Sequence, residues 1–268
     1  MKHNEILMLG TGNALVTHCY NTCFVVRSSG GAQLLVDAGG GNGILTQLER
    51  ADVARSDIRH IFVTHAHSDH ILGVVWLMRL ALQKQEPCPL HIYSHRKVLE
   101  TLQLICRQIL PPKQTARIGS VVLLHEFSDG DSLQVEDIHL RVFDIHSTKE
   151  PQFGFAAQLP GGVRLTCMGD EPYCEANEVY ARGADWLMSE AFCLYADRER
   201  FHPYEKHHST ALDAARLAER LGVGGLILYH TEDHTLSTRR QAYTAEAQAE
   251  FHGRIIVPDD LEVIPLEK

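Results

Sequence analysis

Two rhythms of apolar residues alternate along this chain. Short apolar runs bounded by glycines and polar turns predict strands at 5–9, 23–27 and 33–37, the last two joined as a hairpin around Ser28-Ser29-Gly30-Gly31. Helical spacing at Ile44, Leu45 and Leu48 predicts a helix, and Ile61-Phe62-Val63 a buried strand. From Gly73 the run Val74, Val75, Leu77, Met78, Leu80, Ala81, Leu82 is apolar on most sides and stops before Pro87, which predicts a buried helix. A strand at 90–93, an amphipathic helix at 96–109 closed by Pro111-Pro112, and a strand at 121–124 follow. After the turn Asp129-Gly130-Asp131 come strands through Leu133, Val135, Ile138, Leu140, Val142 and Phe143. A hairpin pairs 153–159 with 163–167 around Pro160-Gly161-Gly162. The remainder reads as a strand at 185–190, a helix at 211–221 with Ser209 as N-cap and Gly222 at its end, a strand at 225–230, a helix at 239–250, and short strands at 254–257 and 261–264. Strand-rich segments with helices between them predict an α/β sandwich, read as one domain over 1–268.

Composition changes this picture little. With 268 residues, 44% hydrophobic and 22% charged, the chain can bury a large core without staples. No stretch is apolar for long enough to span a bilayer, and Met1-Lys2-His3-Asn4-Glu5 does not lead into a signal core, so a cytoplasmic protein without membrane contact is expected. Seven cysteines without a Cys-x-x-Cys pair indicate neither a disulfide framework nor a thiolate zinc site. A net charge of −9 argues against a surface that grips a polyanion, and DNA is not an expected partner. The local exception is 96–117, with Arg96, Lys97, Arg107, Lys113 and Arg117 opposed by Glu100: a basic rim or a solvated helix face.

The chemistry concentrates directly after the strand at 61–63, in Thr64-His65-Ala66-His67-Ser68-Asp69-His70. Three imidazoles and a carboxylate at i, i+2, i+4 and i+5 do not share one helix face, so a tight loop is expected to carry them. Such a loop splits them into two sets, His65 with His67 for one metal and Asp69 with His70 for another close by, as two-metal hydrolases require. Completing the first set needs a third ligand, and His146, ending the strand group in Phe143-Asp144-Ile145-His146, is the candidate. Asp170, after a strand and Gly169, is placed to bridge two cations, and His230 at the end of the strand 225–230 completes the second set. Asp37, at a strand exit before Gly39-Gly40-Gly41, is a candidate to orient a ligand imidazole. Gly10-Thr11-Gly12-Asn13 matches neither a Walker A nor a dinucleotide fingerprint. Cys193 to His207 reads as a substrate-shaping or dimer-contact loop, or equally as a surface connector.

His-x-His-x-Asp-His between a buried strand and an apolar helix resembles the signature of the metallo-β-lactamase superfamily, with His70 pointing to its dinuclear hydrolase branches. The order of further pieces is similar to the RNase Z branch: Leu9-Gly10-Thr11-Gly12-Asn13-Ala14, Asn21-Thr22, Leu35 to Gly41, Gly169-Asp170-Glu171-Pro172 and Gly183-Ala184-Asp185. Ser189-Glu190-Ala191-Phe192 stands where that family carries His-Glu-Ala-Thr, and His208-Ser209-Thr210-Ala211 matches its His-Ser-Thr motif. The resemblance implies an αββα sandwich of two mixed sheets flanked by helices, and a proton relay of Glu190 and His208 serving the leaving oxygen. It departs at Ser189 and Phe192, and in the interval between His146 and Asp170 (147–169), which the hairpin nearly fills. The tRNA-processing members carry a long basic arm there, whereas armless relatives act on small phosphodiesters.

The expectation is therefore a dinuclear hydrolase, foremost a phosphodiesterase acting on a small phosphodiester or an RNA end. His65, His67 and His146 bind one ion, Asp69, His70 and His230 the other, and Asp170 bridges; Asp69, Glu190 and His208 are the expected catalytic residues. Nitrogen and oxygen donors without thiolate suit two Zn²⁺, with Mn²⁺ or Fe accepted by the same set. The alternatives are hydrolysis of a lactone, thioester or sulfate ester, tRNA 3′ processing, or a non-catalytic metal-binding protein. The resemblance also implies a homodimer.

Overall fold

The computed structural model describes residues 3–83 and 88–268. Its strands are β1 (Glu5–Gly10), β2 (Cys23–Arg27), β3 (Gln33–Val36), β4 (His60–Phe62), β5 (Leu90–Ser94), β6 (Val122–Glu126), β7 (Ser132–Val135), β8 (Ile138–Asp144), β9 (Phe153–Leu159), β10 (Val163–Cys167), β11 (Trp186–Glu190), β12 (Gly225–Tyr229), β13 (Arg254–Ile256) and β14 (Val263–Pro265). The helices are α1 (Gly43–Arg50), α2 (Ser68–Gln83), α3 (Arg96–Ile109), α4 (Pro112–Thr115), α5 (Glu178–Ala181), α6 (Arg198–Phe201), α7 (Ala211–Leu221) and α8 (Leu236–Gln248).

Two seven-stranded sheets form, in the orders β14-β1-β2-β3-β4-β5-β6 and β13-β12-β11-β10-β9-β8-β7. The inward faces pack Phe24, Val36 and Phe62 of one sheet against Val142, Phe155 and Met188 of the other. Outer faces are covered in turn: α1, α2 and α3 bury Leu48, Met78 and Leu102 against Leu9 and Ile61, while α7 and α8 bury Ala218 and Tyr243 against Leu187 and Leu226. Covered on both sides, the central strands are nearly continuous apolar runs, which is why they were readable. This is the expected αββα sandwich. No described helix is long and apolar enough to cross a membrane.

Parallel pairing decides where the chemistry gathers. The pairs β3–β4, β10–β11 and β11–β12 are parallel, so their carboxyl ends share an edge, where open α/β sheets bind ligands. Asp37, His65, Asp170, Glu190 and His230 all lie at or just beyond those ends. A backbone bond from Phe153 N to Thr64 O (3.1 Å) joins the two sheets at this edge.

Two boundaries beside the candidate site differ from the sequence reading. The helix after the metal motif begins at Ser68, not Gly73, so Asp69 and His70 lie in its first turn and only His65 and His67 lie on the loop. Backbone bonds from Ala38 N to His70 O (3.0 Å) and Gly73 N to Gly39 O (2.9 Å) fasten that turn to the exit of β3. The approach is close enough that a Cβ on Gly73 would lie 1.8 Å from Ala38 O. At α7 the cap is Thr210, in a reciprocal capping box with Asp213, because Ser209 instead donates its backbone N–H to Glu190. Pro87, the expected stop of α2, lies outside the described residues.

Candidate metal centre and proton relay

Asp170 is the hub of the edge. Its Oδ2 lies 3.6 Å from His65 Nε2, 3.3 Å from His70 Nε2 and 3.4 Å from His230 Nε2. Asp69 Oδ2 approaches His70 Nε2 at 3.3 Å and His230 Nε2 at 3.9 Å, and His65 Nε2 faces His67 Nδ1 at 2.8 Å. Donor atoms of His65, His70 and Asp170, and of Asp69, His70 and His230, converge closely enough to hold a cation. His65, Asp69, His70, Asp170 and His230 are all buried.

Unmet hydrogen bonding shows that these groups fit metal ions. His70 Nε2 and both nitrogens of His230 are buried without a hydrogen-bond partner. Each buried polar atom left unpaired costs about 1–3 kcal/mol, a penalty a bound cation removes. The second nitrogen of His70 is fixed: Nδ1 donates to Asp37 Oδ2 (2.7 Å), which also accepts from Thr64 Oγ1 (2.7 Å), while Asp37 Oδ1 accepts Thr64 N–H (2.8 Å). Asp37 thus orients the His70 imidazole, as its place at a strand exit suggested. Its φ of +54°, like +57° at His230, is a sparsely populated conformation held by the surrounding bonds.

Electrostatics agree with the geometry. Burial opposes ionisation of Asp170, but His65, His70 and His230 outweigh it and hold its carboxyl well below the usual range. Burial likewise opposes a charged His70, yet Asp69 and Asp37 raise it, whereas burial dominates at His65 and drives its pKa well down. A neutral His65 beside ionised carboxylates suits a metal ligand set, whereas a protonated His70 must release its Nε2 proton to join one.

Beside this cluster, Glu190 and His208 meet as expected: Glu190 Oε2 lies 3.4 Å from His208 Nδ1, and Glu190 Oε1 accepts Ser209 N–H. Burial works against the imidazolium, but Glu190 raises the His208 pKa. The Phe192 ring stacks on His208 at 4.8 Å and 15°, and His230 lies 5.3 Å from it.

His146 is not brought to the cluster. It is exposed, its φ is +60°, its N–H donates to Asp144 Oδ1 (2.7 Å), and among the described residues its imidazole reaches no other candidate ligand. The same loop instead supplies Glu150, which accepts Ala66 N–H (3.0 Å), lies 3.5 Å from His67 Nε2 and pairs with Lys97 (2.7 Å). Gln152 is also buried here, donating to Asp170 Oδ1 and lying 3.2 Å from His65 Nδ1. Neither residue belongs to a recognisable motif; the only signal was polar residues directly before an apolar strand. Arg239, fully buried, was missed as well. It donates to Thr11 and Thr231 (3.0 and 2.9 Å), bracing Gly10-Thr11-Gly12-Asn13 beside His230.

The cluster opens into a cavity of about 360 Å³. Its lining combines His67, Asp69, Asp170 and His230 with Leu15, Val16, Phe192 and Phe201, and Asn13, Lys149, Lys206 and His208 also reach it. Phe201 and Lys206 come from the segment 193–207, which therefore shapes the cavity rather than merely connecting elements. The basic stretch 96–117 is offset in part: Arg96 pairs with Glu100 (2.8 Å) and Lys97 with Glu150, while Arg117 donates to Leu82 O (2.6 Å).

Residues 4–244 match the family model described as "Anti-Pycsar protein Apyc1". The chain belongs to the Apyc1 family. Among curated relatives of this family member, ribonuclease Z of Mycobacterium marinum is 26% identical over 275 residues, covering 96% of each chain. The metallo-β-lactamase fold protein YhfI from Bacillus subtilis superposes with a TM-score of 0.76 at 20% identity, over 97% of this chain and 98% of that one. A diphosphatase of the PhnP family superposes with a TM-score of 0.72 at 17% identity, over 98% and 96%. The metallo-β-lactamase fold and the RNase Z-like character inferred from the motifs therefore hold over nearly the whole Apyc1-family chain.

Proposed function

We propose that this chain is a metal-dependent phosphodiesterase of the RNase Z-like type, acting on small phosphodiesters. The observation that carries the reading is the convergence of three imidazoles on one oxygen of Asp170, with unpartnered nitrogens, in the same cavity as a Glu190-paired His208. His65, His67 and Asp170 would hold one ion, and Asp69, His70 and His230 the other, with Asp170 between them; His146, the further ligand the motif implies for the first, would have to move inward from its exposed position to reach it. Two Zn²⁺ suit these donors, and Mn²⁺ or Fe would bind the same set. When bound, the ions supply Lewis acidity that lowers the pKa of water and offsets phosphoryl charge.

The chain's own residues do the rest. Asp37 holds His70 in one tautomer, and Glu190, 3.4 Å from His208 Nδ1, favours the protonated form of that imidazole. His208, stacked on Phe192 at the cavity wall, would give its proton to the departing ester oxygen. The cavity favours a small substrate, because β9 and β10 with their turn occupy the interval between His146 and Asp170 and leave no arm to grip tRNA.

A second reading, tRNA 3′ processing, is favoured by similarity to ribonuclease Z across the full length. Metal-quantified protein offered bis(p-nitrophenyl) phosphate, a 3′-extended precursor tRNA and a lactone separates the readings. Turnover of the diester alone is expected. Efficient tRNA trimming would favour the second reading, and lactone turnover without diester turnover would overturn both.

A further inference from the structure

Two lysines reach the cavity, and they are held differently. Lys149 pairs with Glu171 at 3.5 Å. Lys206 makes no ion pair among the described residues; its Nζ lies 5.0 Å from the centroid of the Phe192 ring, which also carries His208. The difference matters electrostatically. A carboxylate partner cancels an ammonium's charge, whereas an aromatic face orients the cation and leaves its full charge for another anion.

The backbone fixes this placement. Lys206 closes a single 3₁₀ turn (Tyr204–Lys206), its N–H bonded to Pro203 O (3.0 Å), and His207 follows with φ +57°. His208 N–H returns to the same Pro203 carbonyl (2.9 Å), so Lys206 and His208 are carried by one short loop against one ring. Phe192 is itself pinned, its N–H donating to Ser209 O (2.9 Å) and its carbonyl accepting Glu232 N–H (2.8 Å). The carboxylates of the cavity are engaged with other groups. Asp69 and Asp170 face imidazoles, Asp233 accepts Thr17 and His18 N–H (2.6 and 2.8 Å), and Glu232 accepts His234 N–H (2.5 Å).

We propose that Lys206, presented by Phe192 beside His208, is an anion subsite that binds a non-bridging oxygen of the substrate's phosphoryl group and so selects a charged phosphodiester over a neutral ester. This rests on the phosphodiesterase reading. It assigns the loop at 204–208 two tasks, charge recognition by Lys206 and proton delivery by His208.

The test compares wild type, Lys206→Ala and Lys206→Arg, each with metal quantified. Reactions use bis(p-nitrophenyl) phosphate and neutral p-nitrophenyl acetate, and calorimetry measures binding of inorganic phosphate at low and high salt. Losing one charge-assisted contact predicts a KM for the diester, and a Kd for phosphate, raised about 10-fold or more in Lys206→Ala. Metal content should stay near wild type, the loss toward the diester should exceed any loss toward the acetate, phosphate binding should lose part of its salt dependence, and Lys206→Arg should restore affinity. An unchanged KM and Kd in Lys206→Ala, or an equal loss toward the acetate, would overturn the proposal. Wild type that turns over no diester would defeat the functional reading, while the phosphate titration would still decide whether Lys206 binds the anion.

Discussion

Strand β4 has a histidine cluster at each end, and the two are built on opposite principles. At its carboxyl end, His65, His70 and His230 surround Asp170, and buried nitrogens of His70 and His230 lack partners. At its amino end, His60, His91 and His125 stack across β4, β5 and β6, with centroids 5.0 and 5.1 Å apart. Here the imidazoles satisfy one another and their neighbours: His91 Nδ1 meets His125 Nε2 at 2.9 Å, His60 Nδ1 meets Tyr93 OH at 3.1 Å, and His60 Nε2 lies 3.5 Å from Glu136. What sets the proposed ligand cluster apart from the other is therefore unmet valence next to carboxylates, not the number of histidines.

The largest effect expected from this contrast is at the first cluster. Asp170→Ala should remove bound metal and lower diester turnover by about three orders of magnitude or more, checked by elemental analysis beside kinetics. His91→Ala should leave metal content and turnover near wild type; metal loss there would break the distinction. Next in size, His208→Ala should lower kcat by roughly two to four orders of magnitude with metal intact, because it removes the proton donor and not a ligand. If metal leaves instead, His208 belongs to the ligand set.

Gly73→Ala tests the packing under the first cluster. Its Cβ would meet Ala38 O, so α2 must retreat from β3 and carry His70 away from Asp37. A strained or overpacked site of this kind typically costs about 1–3 kcal/mol, and a lower melting temperature together with weaker metal binding is expected. Wild-type values for both would mean that the helix is not fastened there. A smaller effect concerns His146: its replacement by Ala should weaken retention of one ion against a chelator, and unchanged retention would pass the role to Glu150.

The smallest effect is the pH response of the second cluster. Burial, joined at His60 and His125 by the neighbouring His91, holds all three histidines below the ordinary range. The unfolded chain therefore binds protons first, so their contribution to stability is complete above a pH of roughly 6.5 and is lost as pH falls below it. His125→Gln should flatten the slope of melting temperature against pH between pH 7 and 5; an unaltered slope would mean these histidines titrate normally.

The same two clusters show what a sequence exposes. His65, His67, Asp69 and His70 are neighbours in the chain, and the strands delivering Asp170 and His230 are apolar runs, so six of the seven expected ligands appear together where the pattern put them. The loop carrying His146 follows no periodic rule, and its turn leaves that imidazole exposed while Glu150 and Gln152 face the site. His60, His91 and His125 are far apart in sequence and meet only through the parallel register His60↔His91 and Tyr93↔His125. Lys206 was legible only as part of an irregular loop, because its role depends on the Phe192 ring brought from β11's exit.

The most direct test of the central claim is a metal titration of chelator-stripped protein, reading bound metal and bis(p-nitrophenyl) phosphate turnover together. Turnover should be absent without metal and rise to its maximum as two ions bind per chain, with His91→Ala behaving as wild type and Asp170→Ala binding neither ion tightly. Diester turnover by the stripped protein, or two ions retained by Asp170→Ala, would contradict a dinuclear centre built around Asp170.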